Sequence, residues 1–454
     1  MKLINPSTGE VITEVTEDTT ASIQAKFNTL LDYQPSWSGL TIAERIKCIQ
    51  RFDELLEAEK DKLAGDLSKE VGKPLWQSLN EINGAKARIK FFIDNSERYL
   101  ADEWITPEGI TREKISYEPL GVIGNISAWN YPYLVGVNVF IPALIAGNTV
   151  LYKPSEFSTL TGLNIERLVK LAGIPEGAFQ LVIGGKEAGE DLLALPLDAY
   201  FFTGSYKTGK YIYEKVASKM VPCQLELGGK DPLYVSDDIE DVSKVAEAVL
   251  EGVIYNTGQS CCAVERVYVH EKIYDEFVAE FVSQAKALKV GGPDEGKMDV
   301  GPLTRKDQLN FLSYQVKDAV EKGAQIALGG HILKRDGFFF EPTILVEVNH
   351  TMSIMVEESF GPIIGIQKVK DDTEAIAWML DSPYGLTSAV YTADSGRADA
   401  IMKRMNSGTV YWNCCDRVSA PLPWSGRKQS GIGVTLSHLG IRAFTQPKGY
   451  HLRG

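Results

Sequence analysis

Two residues in this sequence combine side-chain types and settings that favour covalent chemistry. Cys261 lies in Asn256-Thr-Gly-Gln-Ser-Cys-Cys-Ala263, and a thiol in a glycine-containing loop is a candidate nucleophile. Glu226 lies in Leu225-Glu-Leu-Gly-Gly-Lys-Asp-Pro232, before a tight Gly-Gly turn, and is a candidate base. A cysteine hydrolase usually pairs its thiol with a histidine, but none of the five histidines lies in either segment. The sequence therefore predicts a thiol that works with a carboxylate.

Both residues also have ordinary structural interpretations. A free cysteine is often a small buried apolar residue, and an isolated glutamate is usually a solvated surface charge. The leucines on both sides of Glu226 instead favour a partly buried strand end. Burial there would raise the pKa of the carboxyl group toward the working range of a base.

The surrounding sequence alternates short apolar segments with helical patterns. Residues 122–126, 149–152, 179–183 and 199–202 are typical of buried parallel strands, and Thr159 to Leu171 is one of the helices between them. After Cys261, residues 266–270 predict a strand and residues 273–288 an amphipathic helix. This alternation of strands and helices predicts an α/β fold: a doubly wound, Rossmann-like sheet followed by a second α/β block.

Helices are also predicted before the first of these strands. Thr41-Ile-Ala-Glu44 is a capping-box pattern, which predicts a helix start. A second helical pattern covers about residues 78–100. The β-prone segment Gly109 to Tyr117 then interrupts the first block.

Taken together, the motifs resemble those of the NAD(P)-dependent aldehyde dehydrogenase superfamily, over nearly the whole chain. The resemblance is specific because many separate motifs occur in the family's order. Besides the segments around Glu226 and Cys261, they are Ile126-Ser-Ala-Trp-Asn-Tyr-Pro-Tyr133, Lys153-Pro-Ser-Glu156, Phe202-Thr-Gly-Ser-Tyr-Lys-Thr-Gly209, Glu357-Glu-Ser-Phe-Gly-Pro362 and Pro423-Trp-Ser-Gly-Arg-Lys-Gln-Ser-Gly431.

The resemblance implies three structural units. Residues 1–99 and 120–228 would form the cofactor-binding domain, and residues 229–430 the catalytic domain. A small β element would be made of a hairpin at residues 100–119 and a C-terminal strand at 440–454. In the family this element pairs subunits, so a homodimer or homotetramer is expected.

The resemblance also implies catalytic roles. Cys261 stands two residues after Gly-Gln and would be the nucleophile, with Cys262 as its neighbour. Glu226 would activate the water that hydrolyses a thioester to a free acid. The side-chain amide of Asn130 and the backbone N–H of Cys261 would stabilise the tetrahedral oxyanion. A turn asparagine before proline is the alternative interpretation of Asn130.

For the cofactor, no G-x-G-x-x-G fingerprint follows the first strand. By the resemblance, Gly204 and Ser205 approach the pyrophosphate at a helix N-terminus, and Lys153 and Glu156 bind the adenosine ribose. A carboxylate there repels a 2′-phosphate, so NAD is expected, with NADP as the alternative. The remaining expected cofactor contacts are Trp129, Glu358 and Phe360.

The substrate funnel of the family would be bordered here by Tyr131, Asn138, Arg417 and Trp424. Asn138 makes one wall small and polar, and Arg417 could meet an anionic or hydroxylated substrate, although a solvated loop arginine is an equal alternative. A small polar aldehyde is expected. The sequence does not choose among a hydroxyaldehyde, a sugar aldehyde, an aminoaldehyde and a semialdehyde.

The net charge and the overall sequence limit the classes of binding partner and the cellular compartment that are expected. The net charge of −13 disfavours nucleic acid and anionic membranes as partners. The N-terminus lacks an apolar signal region, and the adjacent cysteines Cys261-Cys262 and Cys414-Cys415 are of a kind that rarely bridges, so a reduced cytoplasmic protein is expected. No metal-ligand spacing occurs, so no metal site is expected. Two other functions stay open: a thioesterase or esterase using the same Cys–Glu pair, disfavoured by the ribose-binding pair, and a non-catalytic structural paralogue, disfavoured by the intact Cys261, Glu226 and Asn130.

Overall fold

A computed structural model describes all residues, 1–454, as fifteen α-helices and eighteen strands. The strands are β1 (Lys2–Ile4), β2 (Val11–Glu14), β3 (Glu103–Thr106), β4 (Thr111–Pro119), β5 (Val122–Ile126), β6 (Thr149–Lys153), β7 (Phe179–Leu181), β8 (Ala199–Thr203), β9 (Cys223–Glu226), β10 (Asp231–Val235), β11 (Val264–His270), β12 (Gln325–Leu328), β13 (Thr343–Val346), β14 (Ile363–Val369), β15 (Thr387–Tyr391), β16 (Thr409–Trp412), β17 (Gly431–Ile432) and β18 (Thr445–Arg453).

The α-helices are α1 (Thr20–Ser38), α2 (Ile42–Ala58), α3 (Lys60–Val71), α4 (Leu75–Tyr99), α5 (Pro132–Ala146), α6 (Thr159–Leu171), α7 (Lys186–Ala194), α8 (Tyr206–Val216), α9 (Val242–Ile254), α10 (Tyr274–Lys286), α11 (Lys306–Glu321), α12 (Ser353–Val356), α13 (Asp372–Leu380), α14 (Ser395–Met402) and α15 (Ser437–Arg442). None of these helices is both long enough and apolar enough to cross a lipid bilayer.

The first large sheet has six strands in the order β17-β9-β8-β5-β6-β7, all parallel except β17. Apolar side chains cover both faces, with α1 on one and α2, α4 and α5 on the other. Because the chain moves outward from β5 in both directions, the sheet is doubly wound and its topological switch point lies between β5 and β8. The predicted α/β fold class is confirmed.

Local predictions for this sheet were accurate at most positions. β5 and α6 have the predicted bounds, and Thr41 caps α2 in a full capping box with Glu44. The predicted strand at 179–183 ends at Leu181. It ends early because the N–H of Ile183 donates to the Asp18 carboxylate, at 2.8 Å, instead of continuing the strand ladder.

The second large sheet has seven strands in the order β12-β13-β14-β11-β10-β15-β16, parallel except for β12. Hydrophobic cores lie on both of its faces. The chain then returns to the first sheet, because Trp424, Leu436 and Phe444 pack in the same core as Ile123 of β5 and Phe201 of β8. The division into domains stays a prediction.

The predicted hairpin and C-terminal strand meet in a separate three-stranded sheet. β4 lies in the centre, with β18 and β3 antiparallel on its two sides. Trp104 and Ile105 of the edge strand β3 are exposed, and so is Ile110 at the hairpin turn. An exposed apolar edge can pair with another chain, so subunit pairing through this sheet stays a prediction.

Candidate active site

Glu226 and Cys261 lie where the two large sheets meet. Glu226 is the last residue of β9, and the next four residues carry the chain into β10 of the second sheet. Cys261 lies in the loop before β11. A Cβ atom added at Gly229 would lie 3.0 Å from the carbonyl oxygen of Cys261. The glycine therefore allows the segment after Glu226 to pass directly against the cysteine loop.

A cavity of about 360 Å³ opens between the sheets, and both residues line it. The four residues predicted to border the substrate, Tyr131, Asn138, Arg417 and Trp424, line the same cavity. Its walls come from α4, α5, the cysteine loop and the loop after β16. The volume is in the range typical of sites for small organic molecules.

The carboxyl group of Glu226 is enclosed and only half satisfied. One oxygen accepts a hydrogen bond from the Thr435 hydroxyl at 3.0 Å, while Oε2 is buried without a partner. Thr435 is itself fixed by paired backbone hydrogen bonds of 2.8 Å to Trp424. Burial raises the pKa of Glu226 to about 8, although the positive charge of Arg88 lowers it in part. A carboxyl group in this state becomes a base near that pH.

The two adjacent cysteines have different surroundings. Cys261 is half-buried at the cavity, whereas Cys262 is only 4% exposed. The thiol of Cys262 donates to Oδ1 of Asp416 at 2.8 Å. A hydrogen bond with Cys261 and burial together hold the pKa of Cys262 well above its usual range. Since the thiolate is the nucleophile, Cys262 is the less reactive of the pair.

The loop before Cys261 has a strained backbone that its contacts hold in place. Asn256 and Thr257 have φ values of 53° and 59°, in the left-handed region. The N–H of Asn256 donates to the Gln77 side chain at 2.9 Å, and the Thr257 hydroxyl accepts from the N–H of Gly301 at 3.0 Å. Left-handed backbone of this kind in residues other than glycine concentrates at functional sites.

Asn130 lies beside this loop at the start of α5. Its Nδ2 donates to the carbonyl oxygen of Gln259 at 3.1 Å, which leaves the second amide hydrogen without a protein acceptor. The backbone N–H of Cys261 also donates to no other backbone group. Two free donors are therefore available in this region. The oxyanion role of Asn130 stays a prediction, because its side chain is not among those that line the cavity.

A buried ion pair holds the loop of Asn130 in position. Lys73 donates to the Glu81 carboxylate and to the backbone carbonyl of Asn130, the latter at 2.8 Å. Glu81 accepts from the N–H of Tyr133 at 2.9 Å. Both side chains of the pair are completely buried. The pair therefore ties α4 to the first turn of α5, on either side of Tyr131.

We expect Lys73→Met to lower the free energy of unfolding by about 3–5 kcal/mol, because it leaves Glu81 as a buried, unpaired charge. Chemical denaturation followed by circular dichroism measures the loss. The double variant Lys73→Met with Glu81→Met removes both charges and should recover part of the stability. Equal stability of the single variant and the unmodified protein would contradict a structural role for the pair.

The residues predicted to bind a cofactor lie at the carboxyl edge of the first sheet. Lys153 ends β6, Trp129 follows β5, and Gly204 and Ser205 follow β8. Ser205 also caps α8, accepting from the N–H of Thr208. A Cβ atom at Gly204 would lie 2.4 Å from the Phe202 ring, so the ring occupies the space that a side chain at this position would need. The carboxyl edge at a switch point is where sheets of this type bind nucleotides, and these residues fit such a ligand.

Glu358 and Phe360 approach the same region from the second sheet. Oε1 of Glu358 accepts from the N–H of Gly229 at 3.1 Å, and burial raises the pKa of this carboxyl group to about 8. The rings of Phe360 and Trp129 pack edge to face with centroids 5.5 Å apart. The structure thus brings Trp129, Glu358 and Phe360 together, although 229 residues separate Trp129 from Glu358 in the sequence.

Sequence reasoning did not single out several polar residues of the cavity, among them Arg88 and Thr435. Arg88 belongs to a helix whose apolar spacing marks only its buried face, and Thr435 belongs to a loop. No local signal marks them. Only the pairing of distant segments brings them to the cavity.

Comparison with known proteins agrees with this geometry. The model of the aldehyde dehydrogenase family matches residues 1–449. Succinate-semialdehyde dehydrogenase [NADP(+)] of Deinococcus radiodurans is 34% identical over 447 residues, covering 98% of this chain and 93% of that protein. Betaine aldehyde dehydrogenase of Bacillus subtilis is 33% identical over 456 residues, covering 98% and 92%.

Solved structures show the same fold. An NADP dependent enzyme of E. coli superimposes with a TM-score of 0.96 at 30% identity, covering 100% of this chain and 94% of that chain. Betaine aldehyde dehydrogenase of Staphylococcus aureus in complex with NAD+ superimposes with a TM-score of 0.96 at 31% identity, covering 100% and 92%.

The fold and the cavity thus define an enzyme of the dehydrogenase class with a doubly wound nucleotide sheet. The chain belongs to the aldehyde dehydrogenase family, and the resemblance stated from its motifs is confirmed.

Proposed function

We propose that this enzyme oxidises a small polar aldehyde to its carboxylic acid with NAD as cofactor, through a covalent intermediate on Cys261. The observation that carries the proposal is the presence of Cys261 and Glu226 in one cavity of about 360 Å³. The chain's family membership supports the reaction type.

In the proposed mechanism, the thiolate of Cys261 attacks the aldehyde carbon and forms a thiohemiacetal. The amide of Asn130 and the N–H of Cys261 stabilise the alkoxide. A cofactor held at the carboxyl edge of the first sheet would supply the hydride acceptor, and loss of the hydride from the thiohemiacetal would leave a thioester on Cys261. Glu226 removes a proton from water, which attacks the thioester and releases the acid. The unpartnered Oε2 of Glu226 leaves an acceptor free for that water.

Residues at the carboxyl edge of the first sheet would hold the cofactor. Gly204 and Ser205 would meet the pyrophosphate at the N-terminus of α8, where the helix dipole favours an anion. Glu156 is exposed just after β6, and Lys153 beside it is buried. The relative from D. radiodurans is named for NADP(+), and the S. aureus relative is solved with NAD+. Glu156 favours NAD here, because its charge would repel a 2′-phosphate.

The direct test mixes the protein with NAD+ or NADP+ and a panel of hydroxy-, sugar, amino- and semialdehydes. Absorbance at the band of the reduced nicotinamide reports oxidation. Formation of reduced cofactor and acid in equal amounts supports the proposal. If the protein hydrolyses an ester or thioester but no aldehyde reduces either cofactor, the hydrolase alternative is favoured. If it neither oxidises aldehydes nor hydrolyses esters, the non-catalytic alternative is favoured.

We expect Glu156→Ser to raise the NADP+/NAD+ ratio of kcat/KM about tenfold. Two unit charges 4 Å apart in water repel by about 1 kcal/mol, and the 2′-phosphate carries about −1.5 to −2. Steady-state kinetics with both cofactors measure the ratio. Glu176→Ser, which removes another exposed carboxylate beside this sheet, should leave the ratio unchanged. An unmodified protein that already prefers NADP+ would show that Glu156 does not select the cofactor.

A further inference from the structure

Arg88 places a guanidinium group in the cavity without an acidic partner. Its Nη1 donates to Oδ1 of Asn138 at 3.0 Å and to the carbonyl oxygen of Leu134 at 3.3 Å. It takes part in none of the protein's ion pairs within 4.0 Å. A guanidinium has five N–H donors, and these two bonds use only Nη1. The other edge of the group is therefore free to bind a ligand.

The residues around Arg88 on α4 leave its side chain accessible from the cavity. Asn80, Gly84 and Ala87 lie on the same face of the helix and also line the cavity. Since Gly84 and Ala87 are small, Arg88 is the only long, unpaired side chain on this face. Asn138 fixes the guanidinium from α5, which explains why a small polar residue occupies that position.

The carboxylates of the cavity are already engaged. Glu81 is paired with Lys73, Asp416 accepts from the Cys262 thiol, and burial raises the pKa of Glu226 to about 8, so that this group is mostly neutral at pH 7. Burial lowers the pKa of Arg88 only to about 10, so Arg88 keeps its charge. None of these three carboxyl groups pairs with Arg88, so its guanidinium stays free to bind an anion. A cationic aldehyde would be repelled by the guanidinium.

We propose that Arg88 binds a carboxylate of the substrate, so that the aldehyde oxidised here is a short aldehyde acid. This inference rests on the proposed function and selects the semialdehyde among the four classes left open. The free edge of one guanidinium matches a carboxylate in a bidentate pair. A phosphate, with a charge of about −1.5 to −2, would be less well compensated by one arginine.

Arg417 provides a second guanidinium at the rim. It is exposed, lines the same cavity, and has no acidic partner within 4.0 Å. Its position after β16 places it on a different wall from α4. It would attract the anionic aldehyde at the entrance, with a smaller effect than Arg88 because solvent screens exposed charges.

The test compares succinate semialdehyde with butanal, which has the same carbon chain without the carboxylate, and with 4-aminobutanal. The unmodified protein should prefer the acid over butanal by about tenfold to a hundredfold in kcat/KM, the usual worth of a charge-assisted hydrogen bond. Arg88→Met should remove most of that preference, mainly through KM. Arg88→Lys, which keeps the charge, should retain part of it. Arg98→Met, an exposed arginine on the same helix, is the matched control.

Binding of succinate, measured by calorimetry, gives a readout that needs no turnover. It should weaken about tenfold or more in Arg88→Met. Equal losses for the acid and for butanal would overturn the assignment and show that Arg88 acts only through its charge on Cys261. Faster oxidation of 4-aminobutanal, or of a phosphorylated aldehyde, than of the acid by the unmodified protein would also overturn it. If no aldehyde is oxidised with either cofactor, the proposed function itself is overturned.

Discussion

Cys261→Ala is expected to abolish aldehyde oxidation, whereas Cys262→Ala retains most of it. Loss of the attacking group of a covalent mechanism lowers kcat on the order of 10⁴-fold or more. Cys261 faces the cavity, while the Cys262 thiol is buried and donates to Asp416 at 2.8 Å. Steady-state formation of reduced cofactor with each variant measures the difference.

The matched pair makes this comparison sharp, because both variants remove one thiol from the same loop. Cys262→Ala also frees the Asp416 carboxylate, whose pKa burial raises to about 6, so a loss of up to about tenfold is compatible with a supporting role. Equal, severe losses in the two variants would show that the thiols act jointly, and activity confined to Cys261→Ala would make Cys262 the nucleophile.

Glu226→Gln is expected to separate the two halves of the reaction. The hydride step does not need the carboxylate as a base, so rapid mixing should show a burst of reduced cofactor. The steady state that follows should be slower by about 10²-fold to 10⁴-fold, the usual contribution of a general base. Absence of both burst and turnover would mean that Glu226 is needed earlier, to activate the thiol.

The pH dependence tests the same residue independently. Burial raises the pKa of Glu226 to about 8, so the base form is lost as the pH falls below that value and is complete above it. The steady-state kcat, where deacylation limits it, should therefore rise through about pH 8 and then level off. Glu226→Gln should lack this rise. A flat profile in the unmodified protein would contradict Glu226 as the base of the limiting step.

Much of the first sheet was predictable because its signals are local. β5 is marked by a short, mostly apolar segment and α6 by helical spacing, both within their own residues, and the capping box of α2 spans only four residues. The Cys261 and Glu226 segments were likewise recognisable as short motifs. Their meeting in one cavity was implied by the family resemblance, and the crossing from β9 into β10 explains it physically.

The rest depends on contacts between distant segments. Arg88 becomes a cavity residue because Asn138, fifty residues later, holds its guanidinium. Thr435 reaches Glu226 because its backbone pairs with Trp424, after the chain has returned from the second sheet. A single arginine in an amphipathic helix or a threonine in a loop carries no sign of such contacts, so neither was found from the sequence.

The most direct test of the central claim is the position of the acyl group in the Glu226→Gln variant. The variant is mixed with NAD+ and succinate semialdehyde, quenched in acid and digested, and its peptides are fragmented in a mass spectrometer. We predict one acyl group on Cys261, in an amount equal to the burst of reduced cofactor. An acyl group on Cys262 would contradict the proposed mechanism. So would the absence of any acyl group in the variant, provided that the unmodified protein oxidises the same aldehyde.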